Sequence, residues 1–145
     1  MNYILDDNRQ PVPEENLLAW ARWYEEADRH VAETFTELFW VSTVFLGIDH
    51  NFWDRGPPIL FETMVFENKP HLMEIFGKLR EIHSKHDGEC WRYATWDDAE
   101  AGHNAVVKRI LAEEGKAAEA IRDAKAFIKD IDKVASALKD KPDAS

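Results

Sequence analysis

The sequence contains one cysteine, Cys90, among its 145 residues. A single cysteine excludes an internal disulfide and is typical of a reducing compartment. No apolar run approaches the roughly 20 residues that a membrane-spanning helix needs. The N-terminal stretch MNYILDDNRQ also lacks a basic region followed by an apolar one, so no secretory signal is expected. Together these absences predict a cytoplasmic protein with no membrane partner.

Basic residues are scarce in the first half of the chain. Residues 1–67 hold 13 acidic and 4 basic residues, a net charge of −9, whereas the whole chain carries −10. Such a surface repels a phosphate backbone, which excludes ordinary nucleic-acid binding. The acidic half would instead suit a basic protein partner, mimic DNA towards a DNA-binding enzyme, or serve solubility alone.

Signatures of known catalytic sites are missing. The sequence has no Walker loop, dinucleotide fingerprint, nucleophile elbow, CxxC pair or H-E-x-x-H motif. Cys90 has His86 four residues away, but no sequence feature indicates an activated thiol. We therefore expect a binding protein rather than an enzyme, and we expect no cofactor. A bound metal ion is kept as an alternative.

Hydrophobic residues make up 45% of the chain, a composition typical of a folded domain with a core. Segments rich in β-branched and aromatic residues predict strands at Arg29–Phe35, Phe39–Ile48, Ile59–Phe66 and Trp91–Thr95. Apolar spacing predicts a helix over Glu14–Glu26, after a short edge strand at YILDD that the prolines of PVP would end. Since the first three strands have short connections, the predicted fold is α+β, an antiparallel β-meander of about four strands packed by helices.

A further helix is predicted between the third and fourth strands, over Asn68–His86. Asn68 suits an N-cap and Pro70 suits a first helical turn. An apolar stripe at helical spacing follows, formed by Leu72, Ile75, Phe76, Leu79, Ile82 and His83. The sequence therefore predicts a helical insertion at about residues 68–89, across a hairpin.

The C-terminal segment is predicted to be helical from Trp96 onwards. Its apolar residues follow a 4-3 heptad spacing that indicates a coiled-coil seam: Ala117, Ile121, Ala124, Ile128, Ile131, Ala135 and Leu138. An unbroken helix to Lys139 would be roughly 65 Å long, so we favour a break at Gly115 that makes a hairpin. The predicted division is a core domain over 1–114, a C-terminal helix over 115–140 that forms a homo-oligomer, and a flexible tail over 141–145.

Four stretches resemble a family of small, uncharacterised proteins found in bacteriophages and in bacterial genomes with phage-like neighbourhoods. The stretches are PVPEENLLAWARWYEEADRHVAET, VSTVFLGIDHNF, GPPILFETMVFE and RYATWDDAEAGH. The insertion and the tail after about Val107 lie outside the resemblance. It implies a phage-associated protein in the host cytoplasm, and it supplies no activity and no catalytic residue.

The pair Asp49 and His50 follows the clearest strand. Side chains alternate along Val41–Ile48, so if the strand continued, the two residues would point to opposite faces of the sheet. They would then not share a metal ion, and they converge only if the loop bends back. We interpret His50 as a half-buried structural histidine and keep both residues as ligand-binding candidates.

Glu62 shares its strand face with Leu60, Met64 and Phe66, where an unpaired carboxylate would be costly. Arg92 and His103 are its predicted partners, either as a structural ion pair or as a site with Asp49 and His50 at one end of the sheet. Such a site would bind a ligand.

Two other groups of residues are candidates for binding. The loop HNFWDRGPP presents Trp53, which would stack on a base or grip a partner, or fold under as a satellite core, which we favour. His83, His86, Asp87 and Cys90 form a second metal-like cluster, for which adventitious binding is the preferred interpretation.

The predicted function is a non-enzymatic binding protein that acts on a host protein or sequesters a small ligand, for example a nucleotide-like one. One alternative is a small metal-dependent hydrolase that uses His50, Glu62 and His103. Another is a structural or assembly protein that oligomerises through its C-terminal helix.

Overall fold

The computed structural model describes residues 1–68 and 71–141. The chain divides into two compact units, Met1–Ile110 and Leu111–Ser145. Eight strands and two helices follow one another in the described residues: β1 (Tyr3–Leu5), β2 (Pro11–Pro13), α1 (Leu17–Glu26), β3 (His30–Phe35), β4 (Phe39–Phe45), β5 (Phe61–Glu67), β6 (His71–Ile75), β7 (Lys78–Ile82), β8 (Cys90–Tyr93) and α2 (Trp96–Lys139). The α+β class predicted from the sequence is confirmed.

The first unit is built on a four-stranded sheet with the order β3-β4-β5-β8, in which every pair is antiparallel. This is the predicted meander. Strand β4 ends at Phe45, earlier than predicted, because Gly47 adopts a φ of 72° that turns the chain. The Trp20 indole of α1 donates a hydrogen bond of 3.0 Å to the Gly47 carbonyl, which ties α1 to this turn.

One face of the sheet forms the core with the beginning of α2. Alternate residues of β4 and β5 point to this face, together with side chains one or two turns apart on the helix. The fully or nearly buried apolar residues are Phe39, Val41, Phe45, Leu60, Phe61, Val65, Ala99, Val106 and Ile110. The residues that alternate with them, such as Trp40, Glu62 and Phe66, point to the opposite face of the sheet.

The predicted helical insertion is wrong. Residues 71–82 form a hairpin of β6 and β7, with Met73 opposite Arg80 in the backbone register. The two turn residues, Phe76 and Gly77, have φ angles of 53° and 74°, as a two-residue hairpin loop requires. Gly77 disfavours a helix by about 1 kcal/mol and provides the turn, so local turn chemistry overrides the helical spacing. Pro70, which was expected in the first turn of that helix, lies outside the described residues.

Two other boundaries differ from prediction. The prolines of PVP, expected to end the first strand, form β2 themselves and pair with β1 in a two-stranded sheet, where an edge position tolerates their missing N–H groups. Helix α2 runs from Trp96 to Lys139 without the expected break at Gly115. Strong helix formers flank that glycine and keep the helix continuous. Of the predicted tail, only Lys141 is among the described residues.

Neither of the two described helices is both long enough and apolar enough to cross a membrane.

Gly102 marks a close approach between α2 and β8. A Cβ atom at this position would overlap the phenol ring of Tyr93, whereas a Cβ at Gly115 would meet no described atom within 4 Å. Both glycines have helical backbone conformations in α2, so the two positions differ only in how closely other side chains approach them.

We predict that Gly102→Ala lowers the free energy of unfolding by about 1–3 kcal/mol, because Tyr93 must move. Gly115→Ala is the matched control and should raise that free energy by about 0.5–1 kcal/mol through helix propensity. Urea unfolding followed by circular dichroism measures both. Equal midpoints for the two variants would contradict the close packing.

Candidate functional site

His103 lies inside the core rather than at a surface site. Its side chain is only 2% exposed. Nδ1 is 2.8 Å from the hydroxyl of Thr43, and Nε2 is 2.8 Å from the hydroxyl of Thr34. The Thr43 hydroxyl also lies 2.6 Å from that of Thr63. Burial lowers the pKa of His103, so a neutral ring links α2 to three strands as one hydrogen-bonded polar group within the core.

The predicted pairing of His103 with Glu62 is therefore wrong. Glu62 lies directly opposite Val44 and Arg92 in the sheet, one position away from the Thr43–Thr63 pair. Because side chains alternate along a strand, Glu62 points to the face opposite the one that His103 contacts. Since the sheet separates these side chains, they cannot share a ligand.

The face that carries Glu62 has a row of aromatic rings, which we call the aromatic face: Phe35, Trp40 and Phe66. The Phe35 and Trp40 rings are 5.9 Å apart and within 6° of parallel. The Trp40 and Phe66 rings are 5.0 Å apart and tilted by 31°. A cavity of about 240 Å³ opens on this face, lined by His30, Trp40, Ser42, Val44, Glu62, Met64 and Phe66.

The indole nitrogen of Trp40 is buried and has no hydrogen-bond partner. Within the described part of the chain, it is the one buried side-chain nitrogen or oxygen in that condition. Buried polar groups of native proteins are nearly always paired, and leaving one unpaired costs roughly 1–3 kcal/mol. The sequence indicated only that Trp40 lies in a strand, so this feature was missed.

Glu62 and Arg92 form the predicted ion pair at the side of this face. Arg92 Nε donates to Glu62 Oε2 at 2.8 Å, and the Glu62 side chain is 13% exposed. The carboxylate raises the pKa of the Arg92 guanidinium. The Cys90 thiol donates to the same oxygen at 3.3 Å. Burial raises the pKa of that thiol most, and the hydrogen bond to Glu62 raises it further. The raised pKa favours the protonated thiol, the form that donates this hydrogen bond to Glu62.

Asp49 and His50 shape the loop after β4. Asp49 Oδ1 accepts hydrogen bonds from the backbone N–H groups of Asn51 and Ile59, at 2.8 and 2.9 Å. His50 is half-buried, with its ring 5.7 Å from that of Phe52. Trp53 is 86% exposed, so the satellite core that we favoured for this loop is wrong.

The second metal-like cluster is divided between different partners. His83 and Asp87 lie beside Glu67 at the end of β5, a residue that sequence reasoning missed. His86 contacts Glu89, which also pairs with Arg109. Cys90 belongs with Glu62. The hairpin of β6 and β7, which we expected to be a helix, brings His83 and Asp87 back beside Glu67.

His50, Glu62 and His103 form no shared ligand set among residues 1–68 and 71–141. No family model, no curated protein and no solved structure matches the chain. The phage-family resemblance of its motifs therefore stays a prediction.

We predict that His103 makes stability fall on mild acidification. Because burial lowers the pKa of His103, the unfolded chain takes up a proton at a higher pH than the folded chain does. The contribution of neutral His103 is complete above the unfolded pKa of about 6.5 and is lost below it, by at most about 1.4 kcal/mol per pH unit.

Urea unfolding at pH 7.5 and 5.5 tests this, with His103→Gln compared with wild type. The variant should be less stable at pH 7.5 and lose less stability on acidification. His50→Gln is the control for the loss of a histidine at a half-buried loop position outside the core. If His103→Gln loses as much stability as wild type, the role assigned to His103 is wrong.

Proposed function

We propose that this protein is a non-enzymatic binding protein that holds a small ligand with a flat heterocyclic ring on the aromatic face. The ligand is nucleotide-like in chemistry, and the protein acts in a host cytoplasm as a phage-associated factor. The observation that carries the proposal is the unpaired, buried indole N–H of Trp40. A ligand acceptor at this position would remove the cost that the donor carries in the free protein.

The rings support a flat ligand. Phe35 and Trp40 are nearly parallel, and Trp40 and Phe66 lie close enough for mutual contact. Heterocyclic bases stack on such rings with about 1–3 kcal/mol per base. The cavity of about 240 Å³ is below the roughly 300–1,000 Å³ of drug-sized pockets, which favours a single base over an extended cofactor.

Polar groups beside the rings complete the recognition chemistry. The described hydrogen bonds of Glu62 end on Oε2, and Oε1 is then an acceptor for the exocyclic N–H of a base. Arg92 uses its Nε atom in the described bond, so its terminal nitrogens suit a phosphate. A base edge carries both donors and acceptors, which matches the indole N–H and the carboxylate.

We expect a mononucleotide or free nucleobase to bind, and Trp40→Phe to weaken that binding by about 5–100-fold, because phenylalanine keeps a ring but lacks the N–H donor. Isothermal titration with the four common ribonucleoside monophosphates and with adenine measures the affinity. The free energy of unfolding of the unliganded variant should be unchanged or higher, since an unpaired donor is removed.

Trp53→Phe is the matched control, because Trp53 is exposed on a loop and should leave the affinity unchanged. If none of these probes binds, or if Trp40→Phe binds as tightly as wild type, the small-ligand proposal fails. The remaining role for the aromatic face would then be to bind a host protein.

We also propose that the protein is a homo-oligomer through α2. Large apolar side chains of the second unit, each half or more exposed, follow one stripe: Ile121, Phe127, Ile128, Ile131, Val134 and Leu138. Contiguous exposed apolar patches are uncommon in monomers. Ile121, Ile128, Ile131 and Leu138 of this stripe belong to the 4-3 heptad series described above. Such a series packs against an identical one, so the proposed partner is a second copy of the helix.

We predict that Ile128→Glu dissociates the oligomer, because it places a charge on the seam. Ala126→Glu adds the same charge to another face of the helix and should leave the oligomer intact. Light scattering after size-exclusion chromatography gives the mass relative to the 16.8 kDa monomer. A wild-type protein that stays monomeric at high concentration would contradict the seam.

A further inference from the structure

We propose that Glu67, His83 and Asp87 form a binding site for a divalent transition-metal ion such as Zn²⁺. Each residue offers one ligand atom, and these three atoms lie within 4.8 Å of one another. The set combines an imidazole nitrogen with two carboxylate oxygens, a combination that zinc accepts in proteins. The site is separate from the aromatic face and does not depend on the function proposed for it.

The distances suit one shared ion. His83 Nδ1 lies 3.1 Å from Glu67 Oε2 and 3.6 Å from Asp87 Oδ2. A tetrahedral ion with bonds near 2.0–2.1 Å holds neighbouring ligand atoms about 3.4 Å apart. The ligand atoms therefore need only small side-chain rotations, and no movement of the backbone, to surround an ion.

Both carboxylates are held in place by the backbone through their other oxygens. Glu67 Oε1 accepts a hydrogen bond from the N–H of Ser84. Asp87 Oδ1 accepts one of 3.1 Å from the N–H of Glu67. Each carboxylate thus turns its second oxygen towards His83, which reduces the entropy that the side chains would lose on binding an ion.

The surroundings of His83 fit a ligand role as well. Its second nitrogen, Nε2, lies 3.9 Å from Oε1 of Glu81, which approaches the carboxylate–histidine–metal arrangement in which an outer carboxylate orients the ring. The side chain of Glu67 is 6% exposed, whereas that of His83 is 57% exposed. The site therefore has one buried wall and one open side, where water would complete the coordination.

The site would fasten the hairpin to the sheet. Glu67 is the last residue of β5, while His83 and Asp87 follow β7. The two ends of the segment that contains the hairpin therefore meet at the three ligands. An ion that binds only the folded chain stabilises it in proportion to the logarithm of its concentration over its dissociation constant.

A protonated His83 shared by two carboxylates would produce similar distances, so the test must separate the ion from the proton. Chelator-treated full-length protein is titrated with Zn²⁺ in a calorimeter, and thermal unfolding is followed with and without the ion. We expect one ion per chain and a rise in the unfolding temperature. His83→Gln and Asp87→Asn should each weaken binding by at least about tenfold and abolish the rise.

His30→Gln is the matched control. His30 also lies between two carboxylates, with Nδ1 2.9 Å from Asp28 and Nε2 3.8 Å from Glu33. Its partners face different ring nitrogens, so they cannot enclose one ion with it. Unchanged affinity in His30→Gln supports the proposal. An adventitious ion only, recognised by less than one ion per chain or by equal affinity in His83→Gln and Asp87→Asn, overturns it.

Discussion

The alternation of side chains along β4 and β5 is the constraint on which the rest of this structure depends. One set of residues, including Val41 and Thr43, faces α2 and is fully buried. The other set, including Trp40 and Glu62, faces the opposite side. A one-residue slip in register would exchange the two sets. The hydrogen bonds between His103 and the hydroxyls of Thr34 and Thr43 oppose such a slip, because their geometry is met in one register.

The strands were predictable because their β-branched and aromatic residues alternate, and the Glu62–Arg92 pair followed from the same argument. The hairpin of β6 and β7 was not predictable from periodicity, because its apolar residues also fit a helical spacing. The chain turns at Phe76 and Gly77, which both have positive φ angles. Of the two, only Gly77 favours such a turn, and the apolar stripe conceals this single signal.

The sites were harder to predict than the strands. Sequence reasoning placed Glu62 and His103 together because each is a polar residue in an apolar pattern, but the sheet separates them. It missed Glu67 because contact with His83 depends on the path of the hairpin, and it missed the unpaired Trp40 nitrogen because hydrogen-bond satisfaction is a property of the folded chain. Partners distant in sequence were predictable only where they face each other across neighbouring strands.

The proposed role of the aromatic face is to bind a flat ligand through the indole N–H of Trp40. The most direct measurement is a nitrogen–proton correlation spectrum of ¹⁵N-labelled protein, in which six tryptophans give indole signals and Trp40→Phe assigns one of them. On titration with a mononucleotide, we predict that the Trp40 signal moves and that the Trp53 signal does not. A Trp40 signal that stays fixed at saturating nucleotide would contradict the account.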